Sequence, residues 1–280
     1  MREKNEERFA WRRLICVLLI ALIALSADWG LLAQNDAQAA SDGMIRVYLT
    51  RLGSPSTLRL TPECDYVLMM DQGYAVPAGT AVCVQAIAGK LRVFCGDWEI
   101  DCGSNVRLTR TQNGNRGVRF TSPSLSNRFS GDLTFYASGN AINTVLSIYI
   151  EDYLCGVVAY EMSDSYPLEA LKAQAVAARN YALRQKGARS SSYYDVTDNS
   201  SNQVFKGYND AYGNVIYAVR GTAGLTLYAG SSLAACYYTA SNGGQTESTK
   251  NAWGNALSYS VVKDDPYDLR SEERRVGKEC

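Results

Sequence analysis

Ile150-Glu151-Asp152-Tyr153-Leu154-Cys155-Gly156-Val157-Val158-Ala159-Tyr160-Glu161-Met162 is the stretch on which the fold of this chain turns. Ile150, Tyr153, Leu154, Val157 and Val158 recur at helical spacing and form one apolar stripe. That spacing predicts a helix ending near Glu161-Met162. Ser163-Asp164-Ser165 reads as a loop. Pro167 then suits a first-turn position, where its missing N–H costs nothing. Leu168, Leu171, Ala175, Ala178 and Ala182 continue as a second helix closed by Gly187, rich enough in alanine to let another backbone come close.

Outward from these helices the texture changes. From Met44 to about Val145 the chain is strand-like, as in Ile45-Arg46-Val47-Tyr48-Leu49, Thr80-Ala81-Val82-Cys83-Val84 and Lys90-Leu91-Arg92-Val93-Phe94. Turn residues such as Gly53-Ser54-Pro55 and Pro77-Ala78-Gly79 separate the runs. Arg128 to Phe135 reads as one more strand pair. Downstream, a third helix is predicted over about Asn209 to Arg220. A hairpin follows from Leu225-Thr226-Leu227-Tyr228 and Leu233 to Tyr238, then a tight Ser241-Asn242-Gly243-Gly244 loop. Strands and helices fall in separate blocks, which predicts an α+β fold: a strand-rich N-terminal part, then a mixed helix and sheet domain.

Both ends stand apart. Arg2, Lys4, Arg8, Arg12 and Arg13 precede an apolar run from Leu14 to Ala27. This is the pattern of an export signal, with Ala37-Gln38-Ala39 as a cleavage site. A cleaved signal and a retained membrane anchor both fit, and either places the remainder outside the cytoplasm. Residues 270 to 280 are dense in charge and resemble the translation of a sequencing adapter. They are set aside, with the body expected to be truncated after Leu269. The expected organisation is therefore 1–39 signal or anchor, 40–126 strand-rich, 127–269 mixed helix and sheet domain, and 270–280 artefact.

Composition narrows the chemistry. Of 280 residues, 28 are Lys or Arg and 28 are Asp or Glu, so no basic surplus marks a nucleic-acid partner. Histidine is absent. That excludes a Ser-His-Asp triad, a Cys-His pair and any His-ligated metal. Acid/base work near neutral pH falls to a carboxylate, Lys, Tyr or Cys with a shifted pKa. Apart from Cys16 and Cys280 there are six cysteines: Cys64, Cys83, Cys95, Cys102, Cys155 and Cys236. Cys95 and Cys102 flank a turn-like Gly96-Asp97-Trp98, which admits a local disulfide. Cys155 and Cys236 sit among apolar neighbours and read as buried free thiols.

The segment Ile150 to Met162 resembles the signature of the stage II sporulation protein D family. So do Tyr166-Pro167-Leu168-Glu169-Ala170-Leu171-Lys172-Ala173-Gln174-Ala175-Val176-Ala177-Ala178-Arg179, then Tyr181-Ala182, and Ala240 to Gly244 with Glu247 and Trp253 beyond. The resemblance covers about Asn127 to Asp268. It implies a membrane-anchored lytic transglycosylase that cleaves peptidoglycan glycan strands stripped of stem peptides, beside a wall amidase, during engulfment. Relatives include amidase enhancers. The family's catalytic Glu falls on Glu161. Some members hold zinc just after the Tyr-Asp-Val segment. Here Thr197 to Asn202 offers no ligand but Asp198, so neither zinc nor another cofactor is expected.

Lytic transglycosylation uses one acid/base, so the paired carboxylates of ordinary glycosidases are not required. That group must start protonated, and Val157-Val158-Ala159-Tyr160 and Met162 surround Glu161 with the apolar residues that raise a carboxyl pKa. Other substrate contacts are expected from Gln174, Arg179 and Gln203, from Ser241, Gly243 and Gly244 through backbone N–H groups, and from Glu247 as electrostatic support. Each has a plainer alternative: Arg179 snorkelling over the sheet, the glutamines satisfying buried backbone, the glycines making a turn. Tyr237, Tyr238 and Trp253 are candidates for stacking on sugar rings. A non-catalytic wall-binding activator of a partner amidase is the rival reading.

Overall fold

The computed structural model describes residues 43–268. The expected signal or anchor segment and the charged tail lie outside the described residues. Eleven strands come first: β1 (Met44–Tyr48), β2 (Thr57–Pro62), β3 (Tyr66–Met69), β4 (Gly73–Val76), β5 (Val82–Ile87), β6 (Lys90–Cys95), β7 (Trp98–Cys102), β8 (Asn105–Arg110), β9 (Val118–Ser122), β10 (Asp132–Ser138) and β11 (Ala141–Tyr149). Helices α1 (Ile150–Glu161) and α2 (Leu168–Ala188) follow, then β12 (Val196–Thr197), α3 (Gly213–Gly221), β13 (Tyr228–Ala229), β14 (Ser232–Leu233) and the short α4 (Thr249–Trp253). The fold is α+β, as predicted.

Two sheets share one continuous core. One has the order β12-β1-β11-β10-β8-β3-β4 and the other β7-β6-β5-β2-β9. Alternation explains how they meet. Leu133 and Phe135 on β10, Ile45 and Val47 on β1, and Val82 and Val84 on β5 are buried, while their neighbours along each strand are more open. The larger sheet draws strands from both sides of residue 126. β1, β3, β4 and β8 come from the strand-rich region, and β10, β11 and β12 from beyond it. Parallel pairing of β1 with β12 sets Val47 beside Val196.

The helical pair matches its prediction closely. α1 starts directly after β11, and its residues Ile150 to Val158 are all buried. Leu171, Ala175, Ala178 and Ala182 of α2 are fully buried. Gly156 marks the closest approach: a Cβ there would lie 2.5 Å from the Phe205 ring and 2.6 Å from the Gly207 carbonyl oxygen. Glycine is the residue that fits. Pro167 caps the start of α2.

Two expectations need correction. Cys95 and Cys102 do not form a disulfide. The β6–β7 hairpin pairs Cys95 with Trp98 and Leu91 with Cys102, which puts the two sulfurs at opposite ends of the ladder, beyond bridging reach. All six cysteines among the described residues are free thiols. The hairpin expected over 225–238 shrinks to two residues a side. The Ala234 N–H still reaches the Leu227 carbonyl in the hairpin register, but the Leu227 N–H goes to Asn180 Oδ1 and the Ala235 N–H to the Tyr259 hydroxyl. The strand is spent as a cleft wall.

Candidate active site

Glu161 is the last residue of α1, where the Met162 N–H closes the helix on the Val158 carbonyl. Its position follows from the apolar stripe behind it, which anchors the helix against the core and delivers the final residue to an open cleft. The cleft holds about 1070 Å³ and is walled by α2, the 200–204 loop and the irregular chain from Ala235 to Lys263. That volume is at the upper end for pockets that enclose small ligands. Glu161 is open to the cleft, yet partial burial pushes its carboxyl above the ordinary value, with no charged neighbour contributing. The nearby cation Lys206 is engaged elsewhere, its Nζ 3.8 Å above the Tyr160 ring.

The aromatic candidates converge here. Tyr237 and Trp253 stack with ring centroids 4.3 Å apart, and both remain more than half exposed. Such a pair offers a sugar ring a flat apolar face. Tyr238 lines the same cleft beside Glu161. Glu247 lines the same cleft. Its carboxylate accepts from the Ser248 N–H at 2.6 Å and from Asn251 Nδ2 at 3.0 Å, which holds its pKa below the usual range. One carboxyl biased toward its proton thus faces a cleft whose other carboxylate stays charged.

Several expected contacts do other work. Arg179 is 1% exposed and lies outside the cleft lining. Its guanidinium forks onto Glu151, 2.9 Å from Nε to Oε1 and 2.6 Å from Nη2 to Oε2, and donates to the Leu225 carbonyl. It fastens α2 to α1 rather than touching substrate. Gln203 is likewise buried, donating to the Ala178 carbonyl and to Tyr238, and reaches the cleft only through that tyrosine. Gln174 is half-buried and off the lining, with its Nε2 lacking a hydrogen-bond partner. The amides of the 241–244 loop are not free for a sugar. Asp268 Oδ2 accepts from the N–H groups of Asn242 and Gly244 and from the Ser241 hydroxyl. Gly243 and Gly244 take left-handed φ of 73° and 100°, so the turn explains both glycines.

Residues that sequence reasoning missed include Tyr181, Asn202 and Lys263 on the cleft walls. Tyr181 had a signal: it lies four residues beyond Ala177 on the same face of α2. The Thr197–Asn202 stretch leaves no free carboxylate for a metal. Asp198 is fully buried and accepts from the Thr50 and Arg51 amides and the Thr50 hydroxyl. No group of three or more Cys, Asp or Glu side chains among the described residues could hold a metal.

With this α+β architecture and cleft in view, comparison with known proteins places the chain. Residues 138–228 match the family described as Stage II sporulation protein, the part containing α1, α2 and α3. An uncharacterised protein of Brachyspira hyodysenteriae is 31% identical over 223 residues, covering 79% of this chain and 58% of that protein. The amidase enhancer of Bacillus subtilis is 39% identical over 115 residues, 41% of this chain and 15% of the relative. Stage II sporulation protein D of Bacillus amyloliquefaciens is 34% identical over 145 residues, 46% of this chain and 42% of the relative. The chain therefore spans less than two thirds of each of these relatives. Residues 138–228 thus carry a domain of the stage II sporulation protein D family.

Proposed function

We propose that this protein is a peptidoglycan lytic transglycosylase with Glu161 as its sole acid/base. The observation that carries the reading is the raised carboxyl of Glu161, unpaired with any cation among the described residues, at the helix end that opens on a stacked Tyr237–Trp253 pair. Protonated Glu161 donates its proton to the glycosidic oxygen as the C1–O bond breaks. The carboxylate left behind takes the proton from the C6 hydroxyl of the muramic sugar, and that oxygen closes on C1. The product is a 1,6-anhydro ring, no water is consumed, and Glu161 is protonated again. Glu247, held as an anion in the same cleft, favours the positive charge that develops on the sugar.

Substrate, compartment and partners follow as parts of the same proposal. The substrate is a glycan strand without stem peptides. The N-terminal segment exports the protein, as a cleaved signal or as an anchor in the cell membrane, and a wall amidase works beside it. No helix among the described residues is long and apolar enough to cross a membrane. The test is digestion of denuded glycan strands by the protein and by Glu161→Gln. Anhydro-muramic ends from the unaltered protein only are the expected result. Equal release by both overturns the assignment.

A second reading keeps the cleft and drops the chemistry. A relative named amidase enhancer shares 39% identity over 115 residues, which favours a glycan-binding activator of an amidase. In that case Glu161→Gln leaves amidase stimulation intact, and no anhydro ends appear.

A further inference from the structure

Two hydroxyl groups beside Glu161 have their direction set by hydrogen-bond accounting. Gln203 is 1% exposed. One end of its amide faces the Ala178 carbonyl at 3.2 Å, and a carbonyl can only accept, so that end is Nε2. Its Oε1 then accepts from the Tyr153 hydroxyl at 3.3 Å. The remaining Nε2 proton goes to Tyr238 Oη at 3.0 Å. Tyr238 is an acceptor in that bond, so its own proton points elsewhere.

The same logic operates on the other wall. Asn202 faces the Thr197 N–H at 2.9 Å, and an N–H can only donate, so the atom there is Oδ1. Asn202 Nδ2 is therefore the donor to Tyr181 Oη at 3.3 Å. Tyr181 too is left with an unspent proton. Both tyrosines line the cleft with Glu161, and neither hydroxyl proton has an acceptor among the described residues. Two backbone groups, a carbonyl of α2 and an amide of β12, thus fix both tyrosine oxygens as acceptors and leave both protons unspent.

We infer that Tyr181 and Tyr238 are paired O–H donors that grip acceptor oxygens of the sugar bound at Glu161, with Asn202 and Gln203 as the residues that aim them. The ligand class is an N-acetylated amino-sugar oligomer, whose hydroxyl and acetamido oxygens supply the acceptors. Burial pushes the Tyr238 phenol up to about 12, so it keeps its proton at any pH at which the wall is remodelled. This deepens the glycan reading and rests on it.

The test measures binding apart from turnover. An N-acetylglucosamine tetramer is titrated calorimetrically into the full chain carrying Glu161→Gln, and into the same protein with Tyr181→Phe or Tyr238→Phe added. Each Phe change should weaken binding about threefold to tenfold, the worth of one neutral hydrogen bond. Thermal melting separates this from a structural role. If a hydroxyl serves only to satisfy its amide, Tm falls while affinity is unchanged, and the inference is overturned. Absence of tetramer binding by Glu161→Gln itself also overturns it. The catalytic reading is judged separately by release of anhydro ends. Should Glu161→Gln still cleave while the Phe variants bind weakly, the tyrosine assignment stands and the Glu161 assignment falls.

Discussion

Glu161 and Arg179 show how much of a side chain's role depends on what its neighbours leave free. Glu161 ends a helix with no cation to pair with, so burial alone acts on it and raises its pKa. A general acid needs its proton, so activity should be lost as pH rises through that raised pKa. We expect the basic limb of the pH–rate profile on denuded strands to lie above the ordinary Glu value. A basic limb at or below that value would contradict the assignment. Arg179 has the opposite fate. Its bidentate pairing with Glu151 is inaccessible to solvent, so Arg179→Ala strands a buried carboxylate and should cost about 3–5 kcal/mol in urea unfolding. Replacing Glu151 with Leu and Arg179 with Met together should restore most of it. If Arg179→Ala instead leaves stability intact and weakens glycan binding, Arg179 is a ligand after all.

At the scale of elements, α1 and α2 were the most legible part of the sequence, because apolar spacing and a proline at a first turn are local signals. What Gly156 does was not legible. Its role depends on Phe205 and Gly207, about fifty residues away, packing against α1. We expect Gly156→Ala to cost about 1–3 kcal/mol through overpacking, read as a fall in the unfolding midpoint. An unchanged midpoint would mean that the Phe205 loop yields freely. The 235–247 stretch misled for a related reason. The apolar run from Leu233 to Tyr238 looks like a strand, but nothing in the sequence reveals that the Asn180 amide and the Tyr259 hydroxyl take the backbone N–H groups of Leu227 and Ala235. The cleft was legible in its types, one Glu and several aromatics, and illegible in its wiring. Asp268 consumes the loop amides from more than twenty residues away.

For the whole molecule, the larger sheet decides what can stand alone. β10 pairs with β8 on one side and β11 on the other, and β1 lies between β11 and β12. Cutting at residue 126 would strip β1, β3, β4 and β8 from that sheet, bare the core faces of Leu133, Phe135 and Ile148, and leave unpaired edges. We therefore expect residues 127–268 made alone to be unfolded or aggregated by circular dichroism and light scattering. A folded monomer would show that the strand-rich region is dispensable. The histidine-free composition and the motif around Glu161 read directly, whereas the sharing of one sheet across the expected boundary did not. Strand partners so distant in sequence leave no local mark.

The abrupt passage from β11 into α1, with no residue between them, makes the reach of the acid a matter of counting. Twelve helical residues at about 1.5 Å each form a rod of roughly 18 Å whose base is bolted to the sheet. Each residue also turns the rod by about 100°, so length and compass heading change together. An insertion after Val158 would leave the buried base seated and swing the tip a quarter-circle or more, retiring the carboxyl from the cleft without unfolding anything. Chain length in this one segment thus sets where the Glu161 carboxyl stands.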